Sequence, residues 1–524
     1  MPRKPLILLA LLTSAFVINL DTTLVNVALP TLTRELGATT SQLQWVVDAY
    51  NLTFAALLLT AGSLSDRLGR KGVLLAGLVV FGLAGVAGGF VHSPEGLIAA
   101  RAVMGLGAAL TFPSTLSLLT ESFVERRGRA LAIGLWGATA GVAIALGPIV
   151  GGFLLAHFAW SSAFFVFGPV AAVAFALVAL AVPARVGTRE SVTDVPGLLL
   201  SAGFMLLIVW TIIEAPSRGW TAPATLVGFI IGTLLVGGFV WREFRTANPM
   251  LDVRIFANRR FSAASGAVTV SFFTLFGFIF LMTQYFQFIR EYSALSTGVH
   301  LLPVAVSVAI GSVLGTRFAV RIGTKAVVTA GLVLMGTFYI WVALKTSVTL
   351  SYNVIALQMV VYGVGMGLTS APATESIMGA VSGRQAGVGS AINDSTRLLG
   401  GTLGVAIIGS VYASVYGSRL AAKLPAHLPN AAAATAHQSI GAAIIVSGKA
   451  IALGHAGIGA AVRHAASSAF IDGMHVGCGV AAGLALAGAL AAALFLPAQP
   501  PAAPEIIVGL VDRNDTVVNY AIID

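Results

Sequence analysis

Charge is what this chain lacks. Only 10% of its 524 residues are Asp, Glu, Lys or Arg, whereas a soluble surface draws on roughly 25%. Lipid must therefore cover much of the outside. Cysteine is nearly absent too. Cys478 stands alone, which excludes a disulfide within the chain and any Cys-based metal site. No G-x-x-x-x-G-K-[ST] loop occurs, so drive by ATP bound to this chain is not expected. Ten-residue segments of alternating polarity, the mark of a membrane β-barrel, are missing as well. His427, His437, His455, His464 and His475 gather late in the chain. Their spacing fits no familiar ligand pattern, so neither a metal nor another cofactor is expected.

What is present is apolar sequence: 57% of residues, with mean hydropathy +0.92. Runs of about 20 such residues recur, each long enough to cross a ~30 Å hydrocarbon core as a helix. The expected spans are 6–30, 43–64, 72–91, 96–120, 129–156, 161–183 and 195–214. They continue at 223–241, 262–288, 297–317, 324–345, 351–373, 385–411 and 472–496. The class is an all-α polytopic membrane protein with about fourteen transmembrane helices. The first run, behind Arg3 and Lys4, continues past Asp21 to Pro30 without a small-x-small cleavage site. It reads as a span and not as a removed signal.

The formal charge of +10 then reflects basic residues retained on one side, not nucleic-acid binding. Arg67, Arg70 and Lys71, Arg126, Arg127 and Arg129, and Arg317, Arg321 and Lys325 all fall on the side of the N-terminus. So do Arg242, Arg245, Arg254, Arg259 and Arg260. The opposite short loops carry only Arg34, Arg218, Arg290 and Lys345. A multi-pass cell-membrane protein with both termini in the cytoplasm is expected. The Ala-rich stretch 412–471 is expected to be an external loop, with an amphipathic helical hairpin around 431–466. Residues 497–524 are expected to be a mobile cytoplasmic tail.

The chain repeats itself. Gly105-Leu106-Gly107 precedes Pro113 much as Gly363-Val364-Gly365 precedes Pro372. Arg129 and Gly134 match Arg384 and Gly389 at the same spacing. Gly69-Arg70-Lys71 has a degraded copy in Gly323-Thr324-Lys325. Duplicated bundles are a common transporter plan. The expected division is a six-helix bundle at 1–186, an inserted pair at 187–245 and a second six-helix bundle at 246–496.

Two motifs point to mechanism. Gly62-x-x-x-Asp66-Arg67-x-Gly69-Arg70-Lys71 puts glycine where a tight connection bends and an acid among bases. Such charges complement each other or a neighbouring helix end, and form a candidate conformational latch between rocking halves. Gly141, Gly147, Pro148, Gly151 and Gly152 share one helix. There proline removes a backbone hydrogen bond, and small residues permit close packing.

With these residues in view, the sequence resembles the fourteen-helix drug:proton antiporter branch of the major facilitator superfamily. Leu20-Asp21-Thr22-Thr23 through Pro30 is similar to that branch's first-helix signature. Gly62 to Lys71 resembles the superfamily's loop motif, Arg101-x-x-x-Gly105-x-Gly107 its fourth-helix motif, and Gly141 to Gly152 the antiporter motif. Asn248 to Asp252 and Ala391 to Gly401 are also similar to that branch. Trp160-Ser161-Ser162 departs from it, where relatives carry Trp-Arg-Trp. The resemblance implies two rocking six-helix bundles, a small-molecule cargo and proton coupling.

An ionisable group at membrane depth costs at least ~2.5–3.5 kcal/mol, so it needs a partner, water or a job. Asp21 and Asp394 are the main protonation candidates, with Arg101 and Arg397 as tuning partners and Asp48 for protonation or a cationic cargo. Asp394 and Arg397 share a helix face. For a drug-like cargo, Phe112, Trp136, Phe276, Phe280, Gln284, Tyr285, Gln287, Tyr362 and Met366 are candidate cavity residues. No nucleophile or metal constellation suggests an enzyme. The expected function is proton-coupled export of hydrophobic or amphiphilic drugs by a monomer in the bilayer. The alternatives are a dedicated exporter of one antibiotic or metabolite, and proton-coupled uptake of a lipid-like solute.

Overall fold

In hydrocarbon a backbone finds no hydrogen-bond partner but itself, so long apolar runs fold as helices. The computed structural model describes residues 4–123, 125–183, 194–246, 249, 251–380, 386–425 and 427–498, and all its regular structure is helical. The first half runs α1 (Lys4–Leu36), α2 (Thr40–Leu68), α3 (Arg70–Phe90), α4 (Pro94–Ser122), α5 (Arg126–His157), α6 (Ser162–Phe165) and α7 (Phe167–Ala181). An inserted pair follows, α8 (Val195–Arg218) and α9 (Pro223–Arg245). The second half holds α10 (Arg259–Gln284), α11 (Ala294–His300), α12 (Leu302–Ile322), α13 (Thr324–Lys345) and α14 (Tyr352–Gly379). It ends with α15 (Ala386–Lys423), α16 (Asn430–Gln438), α17 (Ile440–Ala452) and α18 (Ala456–Phe495).

Thirteen of the described helical segments are long and apolar enough to cross a membrane. α2 has 29 residues and carries Gln42, Gln44, Asp48 and Asn51 in its far half. "Near" hereafter means the end of the bundle that holds the start of α1, and "far" the opposite end.

The repeat is visible as packing. A Cβ on Gly105 would meet the Tyr50 carbonyl of α2 at 2.5 Å, and one on Gly107 would meet Gly77 O of α3 at 2.8 Å. In the second half Gly363 faces Val304 O of α12 at 2.7 Å and Gly365 faces Gly331 O of α13 at 2.7 Å. In each half, glycine lets one helix lie wedged between two others. Matching turns join the neighbours. Gly69 (φ 99) links α2 to α3 and Gly323 (φ 90) links α12 to α13, a region open to glycine without steric cost.

The inserted pair seats α8 in the seam between α2 and α15. Leu52, Val209, Ile212, Ile213 and Ala406 form one apolar cluster there. At the near end Asp194 caps α8 by accepting from Gly197 N (3.0 Å) and from Arg242 of α9 (2.8 Å). Burial pushes the Asp194 carboxyl up, but the Arg242 and Gly197 hydrogen bonds outweigh it and hold it below the usual range. A depressed carboxyl contributes stability above its unfolded value of about 3.9 and loses it as pH falls further. Asp194→Ala should therefore cost about 1–2 kcal/mol at neutral pH through the lost cap. Amide exchange in the first turn of α8 should rise, and the wild-type chain should show the same loosening only below about pH 4.

The stretch 412–471 is not the loop expected from sequence. α15 continues to Lys423, and α18 begins at Ala456 and runs 40 residues. At 1.5 Å per residue α18 is about 60 Å long, twice the ~30 Å hydrocarbon core. Past the membrane a helix needs no apolar run, so hydropathy places both ends wrongly. Between them stand α16 and α17, the helices of the hairpin region. Residues 187–193, Asn248, Met250, Arg384 and 499–524 lie outside the described residues.

Candidate functional site

Midway along α1, Asp21 is fully buried and both its carboxylate oxygens accept from Arg101 Nη1 at 2.6 Å. Arg101, equally buried, donates from Nε to the Val46 carbonyl of α2 at 2.9 Å and lies over the Tyr50 ring at 4.4 Å. Tyr50 is itself fixed by donating to Ile18 O at 3.2 Å. The pair thus ties α1, α2 and α4 together. Charges so deep persist only with good geometry and further hydrogen bonds, and both conditions hold.

Asp48 is the opposite case. It is fully buried, yet neither carboxylate oxygen has a hydrogen-bond partner among the described residues. Gln44, Asp48 and Asn51 fall at i, i+4 and i+7, one face of α2. All three are buried. Gln44 Nε2 crosses to the second half, donating to Val405 O (3.1 Å), Ala406 O (3.0 Å) and Ser410 Oγ (3.2 Å). Both polar side-chain atoms of Asn51, and Asn26 Oδ1 on α1, also lack partners among the described residues. This is a buried polar face with unmet hydrogen-bonding capacity.

Asp394 and Arg397 belong to a looser cluster two turns into α15. Their closest approach is 3.9 Å, and the arginine side chain is 33% exposed. Arg397 donates to Thr374 Oγ1 (3.1 Å) and lies 5.2 Å over the Phe272 ring. Thr374 donates in turn to Asn393 (3.2 Å), and Asn393 to Asp394 (3.4 Å). Exposure of this order leaves an ion pair worth little for stability. The two sequence candidates therefore differ in kind: Asp21 is locked in a close buried pair, and Asp394 belongs to a looser pair whose arginine is partly exposed.

The antiporter motif acts on α1. A Cβ on Gly147 would lie 2.9 Å from Leu24 N and 3.1 Å from Leu20 O, and one on Gly151 3.0 Å from Leu24 O. Both glycines press on the segment that carries Asp21. Gly152 faces Ala294 O of α11 at 2.6 Å, so α5 touches both halves, whereas Gly141 faces open space. Gly147→Leu should force α1 away at a cost of about 1–3 kcal/mol. It should lower the melting temperature of the purified protein and its export rate together; a variant with both unchanged would show that this contact does not position Asp21.

In the loop motif, Arg70 reaches Glu121 (3.4 Å) on α4, Lys71 donates to Ala179 O (2.8 Å) on α7, and Arg67 is exposed. Gly62 approaches Pro113 of α4 at 4.0 Å. These contacts stay within the first half, and the Asp66 side chain lies outside those described. Several cavity candidates are buried, and Tyr285 lines a small cavity with Phe278, Phe338 and Gln358. Tyr362 is buried against Phe278 (5.2 Å) and Phe338 (4.9 Å), and Tyr285 is buried and donates to Ser347 O at 2.8 Å. Phe280, Gln284 and Met366 are likewise buried. α10 and α14 are apolar all round, and such helices bury most faces. The Phe112 and Trp136 rings meet at a tilt with centroids 4.9 Å apart, and Trp136 donates to Thr115 at 3.0 Å.

Sequence reading missed Tyr50, Gln44, Asn51 and Asn26. The i, i+4, i+7 spacing of Gln44, Asp48 and Asn51 was the available signal; Tyr50 gave none.

The pattern of the Major Facilitator Superfamily matches residues 11–405. The chain is 35% identical over 402 residues to the methylenomycin A resistance protein of Streptomyces coelicolor, covering 77% of this chain and 84% of that one. It is 34% identical over 398 residues to the multidrug resistance protein Stp of Mycobacterium tuberculosis, covering 76% and 73%. Among solved structures, an inward-facing, occupied bacterial homolog of the human lysosomal transporter Spinster superposes with TM-score 0.69 at 16% identity. That match covers 95% of this chain and 98% of the other.

Proposed function

The chain belongs to the Major Facilitator Superfamily, a family of transporters and not of enzymes, and we propose that it exports amphiphilic, chiefly cationic, small molecules in exchange for protons. The observation that carries this reading is Asp48, a fully buried carboxyl with no partner among the described residues. It lies one helical turn from Gln44, which spans the two halves. Such a group is stable only when a proton or a cation neutralises it. Cargo and proton compete for one carboxyl, and that competition is the minimum requirement for exchange. Similarity to methylenomycin and multidrug resistance proteins supports the choice of cargo.

The side-chain hydrogen bonds described between the halves, from Gln44 to α15, from Thr40 to Gln438 O (3.1 Å), from Gln287 to Val27 O (2.9 Å) and from Arg34 to Gln287 (3.4 Å), lie toward the far end. This conformation is therefore closed at the far face. The Arg-rich near face is cytoplasmic, and cargo enters there. Asp21, buried in the first half, is the second proton site, and its bond to Arg101 is remade in each cycle. Asp394 and Arg397 line the near-side approach, and the Gly62 to Lys71 loop latches the near face when it closes. One chain supplies both halves, so the unit is a monomer embedded in lipid.

The test is dye efflux from energised cells. Ethidium should leave faster with the protein than without it, and a protonophore should abolish the difference. Faster accumulation would favour uptake, and protonophore-insensitive efflux would remove the proton from the account. A panel of antibiotics then separates a broad pump from a dedicated one.

A further inference from the structure

The family match ends at residue 405, and the far-side helices α16 and α17 have no part in the mechanism so far. The short junction between them, 436–441, sits where the two halves meet. Ala436 O accepts from Tyr416 of α15 at 3.1 Å, and Gln438 O accepts from Thr40 at the start of α2 at 3.1 Å. Gly441 is seated between Thr33 of α1 and Phe288 in the π-helical turn Tyr285–Ile289 that continues α10. A Cβ there would lie 2.5 Å from Thr33 Cγ2 and 2.7 Å from the Phe288 ring. Ala436, Ser439 and Ile440 are buried. Ser439 caps α17 through Ala442 N (3.1 Å), and Ser447 donates to Gly459 O (2.7 Å), so the element is tied to α18. It is therefore carried by the second half and rests on the first.

We propose that the 436–441 junction is an outer plug that closes the exit path and withdraws from α1 and α2 each time cargo is released. The geometry requires this if the halves rock. α15 and α18 move with the second half, whereas Thr33 and Thr40 move with the first, so any opening of the far face separates Gly441 from Thr33. Glycine at 441 keeps that seat close, since a Cβ there would press on the Thr33 methyl and on the edge of the Phe288 ring. Among the described residues, the plug is held to the first half by the hydrogen bond from Thr40 and the apolar contact at Thr33. Neither is a charge pair, so release is insensitive to salt. The proposal presupposes export but not the ion that drives it.

A reversible cross-link tests it. In a Cys478→Ala background, Thr33→Cys removes the methyl that a Cβ at 441 would meet, and with Gly441→Cys it brings two Cβ atoms near the ~3.5–4.5 Å separation of a disulfide. The reduced protein, reconstituted in vesicles, should export ethidium within about twofold of the parent, a change below 1 kcal/mol. Oxidation, with the cross-link verified by mass, should reduce export to background, and reductant should restore it. Cross-linked protein exporting at the reduced rate would overturn the plug and leave the export reading intact. If the reduced pair is inactive, spin labels at the exposed positions His92→Cys and Lys449→Cys decide the matter. A second, longer distance that gains population under an acid-outside gradient with ethidium supports withdrawal, and a single unchanging distance overturns it.

Discussion

Asp21→Asn should abolish proton-driven export and destabilise the protein, and the two losses should separate in a second variant. Asn is nearly isosteric, but it leaves the Arg101 guanidinium fully buried without a counter-charge. Breaking one side of a buried pair costs about 3–5 kcal/mol, and the retained amide oxygen should keep the loss near the lower limit. A purified Asp21→Asn sample should thus melt well below wild type. Asp21→Asn with Arg101→Met removes both charges and keeps similar volume, a change that is often neutral or stabilising. Its melting temperature should recover while export stays at background. Recovery of both would show that the pair is only a strut joining α1, α2 and α4.

Asp48→Asn should have the reverse sign on stability. The wild-type carboxyl has no partner at full burial, and an unsatisfied buried polar group costs about 1–3 kcal/mol, more if charged. An amide of the same shape carries no charge to desolvate, so the melting temperature should hold or rise. Export of cationic dyes should fall at least about tenfold, the effect of losing ~1.4 kcal/mol of interaction, while a neutral cargo changes little. Proton competition adds a signature. In wild type the apparent KM for a cation should fall as near-side pH rises, because a protonated carboxyl attracts no cation. Asp48→Asn should flatten that dependence. Equal loss for neutral and cationic cargo would assign Asp48 to the proton path alone.

Much of the architecture was readable because membrane helices obey few rules. Apolar run length set the spans. The repeated glycines, Gly105 and Gly107 against Gly363 and Gly365, were readable because close helix approach demands small residues at fixed spacing. Asp21 and Arg101 each stood out as costly at depth, but their pairing did not, since 80 positions separate them and stacking of α1, α2 and α4 sets the contact. Tyr285 and Tyr362 stood out only as aromatics, because helices apolar on every face give no sign of which side meets a cavity. The ends of α15 and α18 were misplaced for a different reason. An Ala- and Gly-rich helix outside the bilayer lacks the hydropathy that marks a span, although it still hydrogen-bonds its own backbone. Gly441 against Thr33 had no local signal at all, because it depends on where the 38-residue α15 delivers the chain.

Simultaneous recording of cargo and proton movement in inside-out vesicles containing only the purified protein tests the exchange most directly. With an acid lumen, wild type should accumulate ethidium while protons leave, both flows should collapse with the gradient, and Asp21→Asn should show neither. Ethidium accumulation without proton movement, unaffected by the imposed gradient, would contradict proton-coupled export by this protein.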